Sequence, residues 1–488
     1  MAISTALYSA VSGLSAAQTS LNVVSRNIAN ASTEGYTRKI STQTNQVLGG
    51  ASQGVTVSEL RRSVDEGLQA DVRDETSRLR ELEVLDDFMA RLDALFGRPE
   101  DDVSIAAKIT DLKDTMIQFA TTPDFGPSQS EVVRAAEALV TEFNDLTVEL
   151  QQLRQEADSR IVDSVAVVNS TLTSIDSLNT KIAAEKALGN SAVDLIDLRD
   201  GFTADLADEM SVKSLKRGDG QVTILTASGR LMLDETKLGL SFNPTVSYTT
   251  ATTGQPLRIE NGAPTSAGYP SISSEITAND GRLAALLDLR DTILPQAQAQ
   301  LDSLAFELAQ DFGTITIGGT NAVLNLFVVE GTQAVAATDT ALAGNIGVRD
   351  AVAANPTLLR SPGGASTFTA TGPGDPTLPL AMVGLFETTQ TFTTSFTSGI
   401  GVTTSDTIEG FAAQIIGFQA NQRADFETQL DFQGKFRDNL NNRLQSKTGV
   451  NIDEEMAELI ELEQNYAASA RVLSAVQRAI DELLSALR

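Results

Sequence analysis

Apolar residues at the two ends of this chain recur in strict alternating steps. Ile3, Leu7, Ala10, Leu14, Ala17, Leu21, Val24 and Ile28 are spaced four, three, four, three without a miss. That is a heptad seam on one helix face. Leu459, Leu462, Tyr466, Ser469, Leu473, Val476, Ile480, Leu483 and Leu487 repeat the pattern at the far end. Thr33-Glu34-Gly35 supplies a stop for the first helix, and Asn451 or Asp453 a cap for the second. Asp453-Glu454-Glu455 then reads as a capped helix start, where the helix dipole favours negative charge, rather than as an acid/base site. Ordering such a helix costs ~1–2 kcal/mol per residue, and a buried seam residue returns at most ~1.5–2 kcal/mol. Single helices therefore stay marginal in water and the seams need partners. The two ends supply each other if the chain runs out and back, and a packed array buries their outer faces too. Periodicity alone fits a plain stalk or dimer equally well.

Long helices fill much of the interval. Val132, Ala136, Leu139, Phe143, Leu146, Leu150 and Leu153 form one seam, resumed by Ile161, Val165, Val168, Leu172, Ile175 and Ile182 and ended at Gly189-Asn190. About 60 residues, or roughly 90 Å at 1.5 Å rise, read as nearly continuous helix. Shorter seams run from Leu82 to Phe96, from Ile109 to Phe119, from Leu283 to Leu308, and from Ile408 towards Leu444. Residues 211–278 instead alternate in period two, with Val222 to Leu233 reading as a hairpin around Ser228-Gly229. Residues 313–400 are rich in Thr, Gly and Ala, poor in charge, and punctuated by Pro362-Gly363-Gly364 and Pro373-Gly374. The expected class is mainly α: a long-helix bundle with paired terminal coiled-coil helices and inserted β-rich or irregular outer modules. The expected domains are 1–35 with 450–488 (terminal coiled coil); 36–190, 279–312 and 401–449 (helix bundle); 191–278 (β-rich); and 313–400 (outer module). The last offers little to pack and is expected to contribute little to assembly contacts.

Composition narrows the chemistry. The chain has 488 residues, 36 Lys+Arg against 64 Asp+Glu, and a net charge of −28. It contains no Cys and no His, which removes thiolate and imidazole metal sites, disulfides, and every catalytic arrangement built on either residue. Strong negative charge argues against nucleic acid and anionic membranes as partners. No GxxxxGK[ST] loop occurs, and Gly372-Pro373-Gly374-Asp375-Pro376 lacks the backbone donors a phosphate loop needs. Gly218-Asp219-Gly220 is too short for a calcium loop and reads as a turn. Carboxylates abound, but none stands in an evidently apolar setting, so no catalytic, cofactor or metal site is expected. Tyr36 and Tyr466, beside the terminal helices, read as packing residues. Met1 to Ser25 carries no charge, so the basic start of a cleaved secretory signal is missing, and no apolar run reaches a membrane-spanning length of ~18 residues.

Two signatures, one at each end, go further. Ser12-Gly13-Leu14, Asn27-Ile28-Ala29-Asn30 and Gly35-Tyr36-Thr37-Arg38 resemble, in order, the N-terminal signature of the bacterial flagellar rod, hook and hook-associated proteins. The stretches from Gly449 to Ile460 and from Gln464 to Arg471 resemble the matching C-terminal signature. Within that family, the Gly-Tyr-Thr-Arg turn, the segment from Asp194 to Glu209, and Arg290-Asp291-Thr292-Ile293-Leu294-Pro295 with Leu301 to Ala305 are most similar to members at the hook–filament junction. The resemblance implies a structural, non-enzymatic protein of the flagellum. It implies export without a cleaved signal through the flagellar type III apparatus, an extracellular location, and self-assembly into a ring through the terminal helices. Its implied partners are the hook protein, hook-associated protein 3 and an export chaperone. The assembly seam would comprise Ile3, Leu7, Leu14, Leu21, Ile28, Leu459, Leu462, Tyr466, Leu473, Val476, Ile480, Leu483 and Leu487. The rivals are another axial protein (hook or distal rod), a cytoplasmic coiled-coil scaffold, and a surface enzyme or adhesin carried on 211–400.

Overall fold

The computed structural model describes residues 2–33, 35–48, 51–98, 104–260, 269–329, 341–392, 401–402 and 404–486, with the side chains of 2–4, 48, 51–53, 58–59 and 486 outside that description. The chain is mainly helical. Helix α1 (Ala2–Ala29) leads into an antiparallel hairpin of β1 (Lys39–Leu48) and β2 (Ala51–Arg62). Helix α2 (Glu66–Phe96) is capped by Asp65, whose carboxylate accepts from the Leu68 amide, and is stopped by Gly97 at φ 67°. Helices α3 (Ile105–Thr121), α4 (Gly126–Ala187) and α5 (Val193–Glu209) follow. Helix α4 runs 62 residues, matching the continuous helix the seams predict. Its only proline, Pro127, sits in the first turn, where a missing amide costs nothing.

Small antiparallel sheets lie against this frame. Strands β3 (Val212–Lys216), β4 (Val222–Thr226) and β5 (Leu231–Leu233) form a meander whose second turn uses Gly229 at φ 88°. Strand β6 (Leu240–Ser241) pairs with β7 (Arg258–Ile259). Helix α6 (Arg282–Asp288) passes through a π-helical turn, Leu289–Ile293, into α7 (Leu294–Asp311). Pro295 has no amide to continue the α ladder there, which accounts for the widened turn. Strands β8 (Thr314–Ile317) and β9 (Thr320–Val323) pair; β10 (Phe327–Val329) pairs with β11 (Ile346–Val348) around α8 (Leu342–Asn345). Helices α9 (Asp350–Ala354) and α10 (Thr377–Glu387) precede the short pair β12 (Gln390–Thr391) and β13 (Ser405–Asp406). Helices α11 (Ile408–Thr448) and α12 (Ile452–Ala486) close the chain.

Three segments differ from the sequence expectation. The stretch 39–62, assigned to the helix bundle, is a β-hairpin; its first strand, Lys39–Leu48, is mostly polar and carries no apolar stripe of helical period. The stretch 193–209, assigned to the β-rich module, is helix α5. Residues 313–400 are not a loose outer module where they are described. Phe327 and Phe386 each meet Phe312 of the α7 terminus, with ring centroids 5.7 Å and 5.6 Å apart, and Phe392 stacks on Phe411 of α11 at 3.6 Å. The described part of the stretch thus contributes apolar residues to the body core.

One contiguous apolar core spans residues from Val84 to Ile416, with Phe88, Phe143, Leu301, Phe312 and Phe411 at 1% exposure or less. Among the described residues it includes none of α1, β1, β2 or α12. The terminal helices and the hairpin thus form a unit of their own, with separate buried residues such as Ala17, Val24 and Leu462.

Candidate assembly interface

Helices α1 and α12 lie antiparallel. Asn27, near the end of α1, meets Glu455 in the first turn of α12, and Gly13, midway along α1, faces Ser469. A Cβ on Gly13 would come 3.3 Å from the Ser469 hydroxyl, so the small residue permits a close helix approach. The seam is only partly enclosed. Leu462 is buried; Leu7, Leu14, Leu21, Ile28, Leu459, Leu473, Val476 and Ile480 are half-buried; Tyr466 and Leu483 are 37% and 50% exposed. The Ile3 side chain and Leu487 lie outside the described residues.

Burial on α1 centres on one of its two heptad positions, Ala10, Ala17 and Val24, together with Ala16, Ser20, Val23 and Asn27 beside it. The reason is a second neighbour that sequence reasoning missed, the hairpin. Ser12 accepts from the Val55 amide at 3.2 Å, Ser20 bonds Ser41 at 2.8 Å, and Gly54, at φ 122°, packs where a Cβ would collide with Ser12. Ser12 and Ser20 of α1 are thus contacts with β2 and β1. A further apolar stripe faces outward: Tyr8 and Val11 on α1, and Met456, Ile460, Val472 and Leu484 on α12, are 43–61% exposed.

At the base of the pair the two sequence signatures meet in a polar knot. Asn27, 1% exposed, donates to Glu455 at 2.9 Å and to the Lys39 carbonyl at 2.9 Å, and accepts from the Lys39 amide at 3.0 Å and the Tyr36 hydroxyl at 3.0 Å. Glu455, fully buried, also accepts from Arg38 Nε at 2.6 Å, and Arg38 reaches Glu458 at 3.1 Å. Glu455 is therefore not simply part of an acidic helix start; it is the buried acceptor that joins the ends. Glu454, 63% exposed in its side chain, keeps the simpler role. A second carboxylate, Asp197 of α5, receives the Lys39 ammonium, Arg62 at 2.5 Å and the Thr37 hydroxyl at 2.7 Å. Tyr36 is raised to about 12 by burial and then by Asp194, so its hydroxyl stays protonated and donating.

Elsewhere, some carboxyls do occupy apolar settings, against expectation. Burial raises Glu81 of α2 to about 7, and Asp302 and Asp311 of α7 to about 6 each. Asp302 accepts from the Ala343 amide at 2.9 Å and from Gln298 at 3.0 Å, which is an anchoring role for α8. Among the described residues no group of three acidic side chains is placed to hold a metal ion, and no helix is long and apolar enough to cross a membrane.

Comparison with known proteins finds relatives over nearly the whole chain. Residues 89–325 match the model of the flagellar hook-associated protein FlgK helical domain. Residues 7–37 match the flagella basal body rod protein model, and 444–486 the C-terminal model of the flagellar basal body rod FlgEFG proteins. Flagellar hook-associated protein 1 of Escherichia coli is 24% identical across 99% of this chain and 100% of its own length. The chain belongs to the flagellar hook-associated protein 1 family. Another member, from Bacillus subtilis, is 22% identical over 97% of this chain and 96% of its own. A solved structure titled the flagellar hook junction protein FlgK from Burkholderia pseudomallei aligns over 54% of this chain and 47% of that chain, at 21% identity and a TM-score of 0.44. In hook-associated protein 1 terms, the two rod-type matches contain Asn27, Tyr36 and Glu455, so both end signatures converge on the knot.

Proposed function

We propose that this chain assembles side by side with its own copies through the outer faces of α1 and α12, closing a ring. As a member of the hook-associated protein 1 family it is a structural protein of the flagellar hook–filament junction. The observation that supports the terminal helices as the assembly surface is their incomplete burial. A single chain pairs α1 with α12 yet leaves most seam positions half-open and a further stripe, Tyr8 to Leu484, in solvent. Exposed apolar faces of this extent on paired helices mark contact surfaces. The role is non-enzymatic. The neighbours in the appendage are the hook protein below and hook-associated protein 3 above, reached by export through the flagellar type III apparatus to an extracellular position, with an export chaperone beforehand. Neither nucleic acid nor membrane is a partner.

Substitution on the seam tests this. Leu21→Asp and Leu473→Asp each place a carboxylate among half-buried apolar groups, losing roughly 1.5–3 kcal/mol of burial with a desolvation cost added. The penalty repeats in every subunit. Cells carrying either variant are expected to lack the hook–filament joint and to shed later subunits into the medium, while the body keeps its melting temperature. Gln18→Asp, at an exposed position of α1, is the control. Full filaments from both seam variants would overturn the assignment of this surface.

A further inference from the structure

The terminal unit touches the body at few places, and their arrangement has mechanical content. The chain crosses between them twice: from β2 to α2 through Ser63, Val64 and Asp65, and from α11 to α12 through Gly449, Val450 and Asn451. The crossings are adjacent. Lys447 pairs with Asp65 at 2.7 Å, the Ser63 hydroxyl donates to the Lys447 carbonyl at 3.1 Å, and the Arg38 amide donates to the Thr448 carbonyl at 2.8 Å. Two adjacent crossings define a hinge but do not fix an angle about it. The contact that does so is electrostatic. Asp194, Asp197 and Asp200 recur every third residue on one face of α5 and meet three cations of the terminal unit. Arg26 lies 3.7 Å from Asp194; Lys39 pairs with Asp197; Arg62 bridges Asp197 at 2.5 Å and Asp200 at 2.9 Å. The Lys39 and Arg62 side chains are 2% and 6% exposed, so this is an enclosed contact rather than a surface pairing.

We propose that the carboxylate row of α5 is a latch that sets the angle of the terminal helix pair on the body, and that opening it lets the pair swing about the two crossings with both parts still folded. Among the described residues no apolar core spans the joint, which leaves this ion-pair row as its enclosed contact. Removing Asp197 and Asp200 together leaves Arg62 without its counter-charges and Lys39 with only the exposed Asp194 at 3.7 Å, and rotation brings both cations to water. The proposal concerns the free chain and does not depend on the assembly reading.

The test uses the full chain, whose lack of cysteine allows clean paired labelling. Spin labels on Gln464→Cys of α12 and Thr180→Cys of α4 report the angle; labels on Gln18→Cys and Gln464→Cys report the integrity of the terminal pair. For the native latch the first pair is expected to give one narrow distance distribution. In Asp197→Asn with Asp200→Asn it is expected to broaden and shift, while the second pair and the helical circular dichroism stay unchanged. Asp219→Asn, at the β3–β4 turn, should leave both distributions as in the native chain. An unchanged inter-unit distribution in the double variant would overturn the latch. So would a broad distribution in the native chain, or broadening of both label pairs together, which would mean that the variant dismantles the terminal unit itself. Arg62→Gln offers a second route from the opposite side, with the same expected shift.

Discussion

Glu455 and Glu454 are neighbours in sequence with opposite environments, and the contrast gives a sharp test. Glu455 is fully buried and accepts from Asn27 and Arg38; Glu454 is 3.8 Å from Arg38 and 63% exposed. Glu455→Ala is expected to cost about 3 kcal/mol, because it removes the buried acceptor shared by the Asn27 amide and the Arg38 Nε. Glu454→Ala should stay within about 0.5 kcal/mol, as for other exposed pairs. Amide hydrogen exchange along α12 reads the difference, with exchange in α4 as the unaffected reference. Glu81 gives a pH signature. Its folded pKa of about 7 exceeds the ordinary 4.5 because burial disfavours the charged form. The folded state thus holds a proton that the unfolded state releases first; the stabilising contribution is full below pH 4.5 and is lost as pH rises through 7. Glu81→Gln is therefore expected to raise stability at pH 8 by on the order of 2 kcal/mol, discounted for partial exposure, with the gain vanishing near pH 4. Urea melts at the two pH values check the sign.

At the scale of elements, the hairpin depends on one backbone position. Gly54 has φ 122°, and a Cβ there would stand 2.1 Å from the Ser12 hydroxyl and 3.1 Å from its Cβ. Gly54→Ala is expected to lift β2 off α1 and cost about 2 kcal/mol or more, combining backbone strain with overpacking. Loss of protection at the Val55 amide, which bonds Ser12, would register it. The hairpin also shows where reading the sequence stops. Seams such as Val132 to Ile182 and the two terminal heptads are legible because burial on one face forces a helical period. Lys39 to Leu48 gives no such signal, since its partners on α1 are serines and asparagine rather than an apolar face. The knot was illegible for another reason. Asn27 and Glu455 are 428 residues apart, and neither residue advertises its partner. The motifs containing them were recognisable by resemblance, but the physical cause of those motifs needed the fold.

For the molecule as a whole, the low charge of 313–400 misleads most. It suggests a detachable surface module, whereas Phe327, Leu342, Ile346, Leu378 and Phe386 sit in the same core as α3, α4 and α7. Excising 313–400 with a short linker is therefore expected to break the core and lower the melting temperature of the body, rather than yield a trimmed but intact protein. Circular dichroism melts of the shortened chain decide it; an unchanged transition would show that the aromatic contacts with Phe312 and Phe411 are dispensable.

The pairing of α1 with α12 also dictates an order of events in time. Closing a loop of 428 residues between Asn27 and Glu455 carries a large chain-closure entropy while the intervening chain is unfolded. Once the body has folded, its two exits stand side by side at Asp65 and Lys447, and the effective loop collapses to two short crossings. Docking of the terminal helices then becomes a local event. The first helix of the chain is thus the last to find its partner, and pulse-labelling during refolding should show amides of α4 and α7 protected before those of α1 and α12.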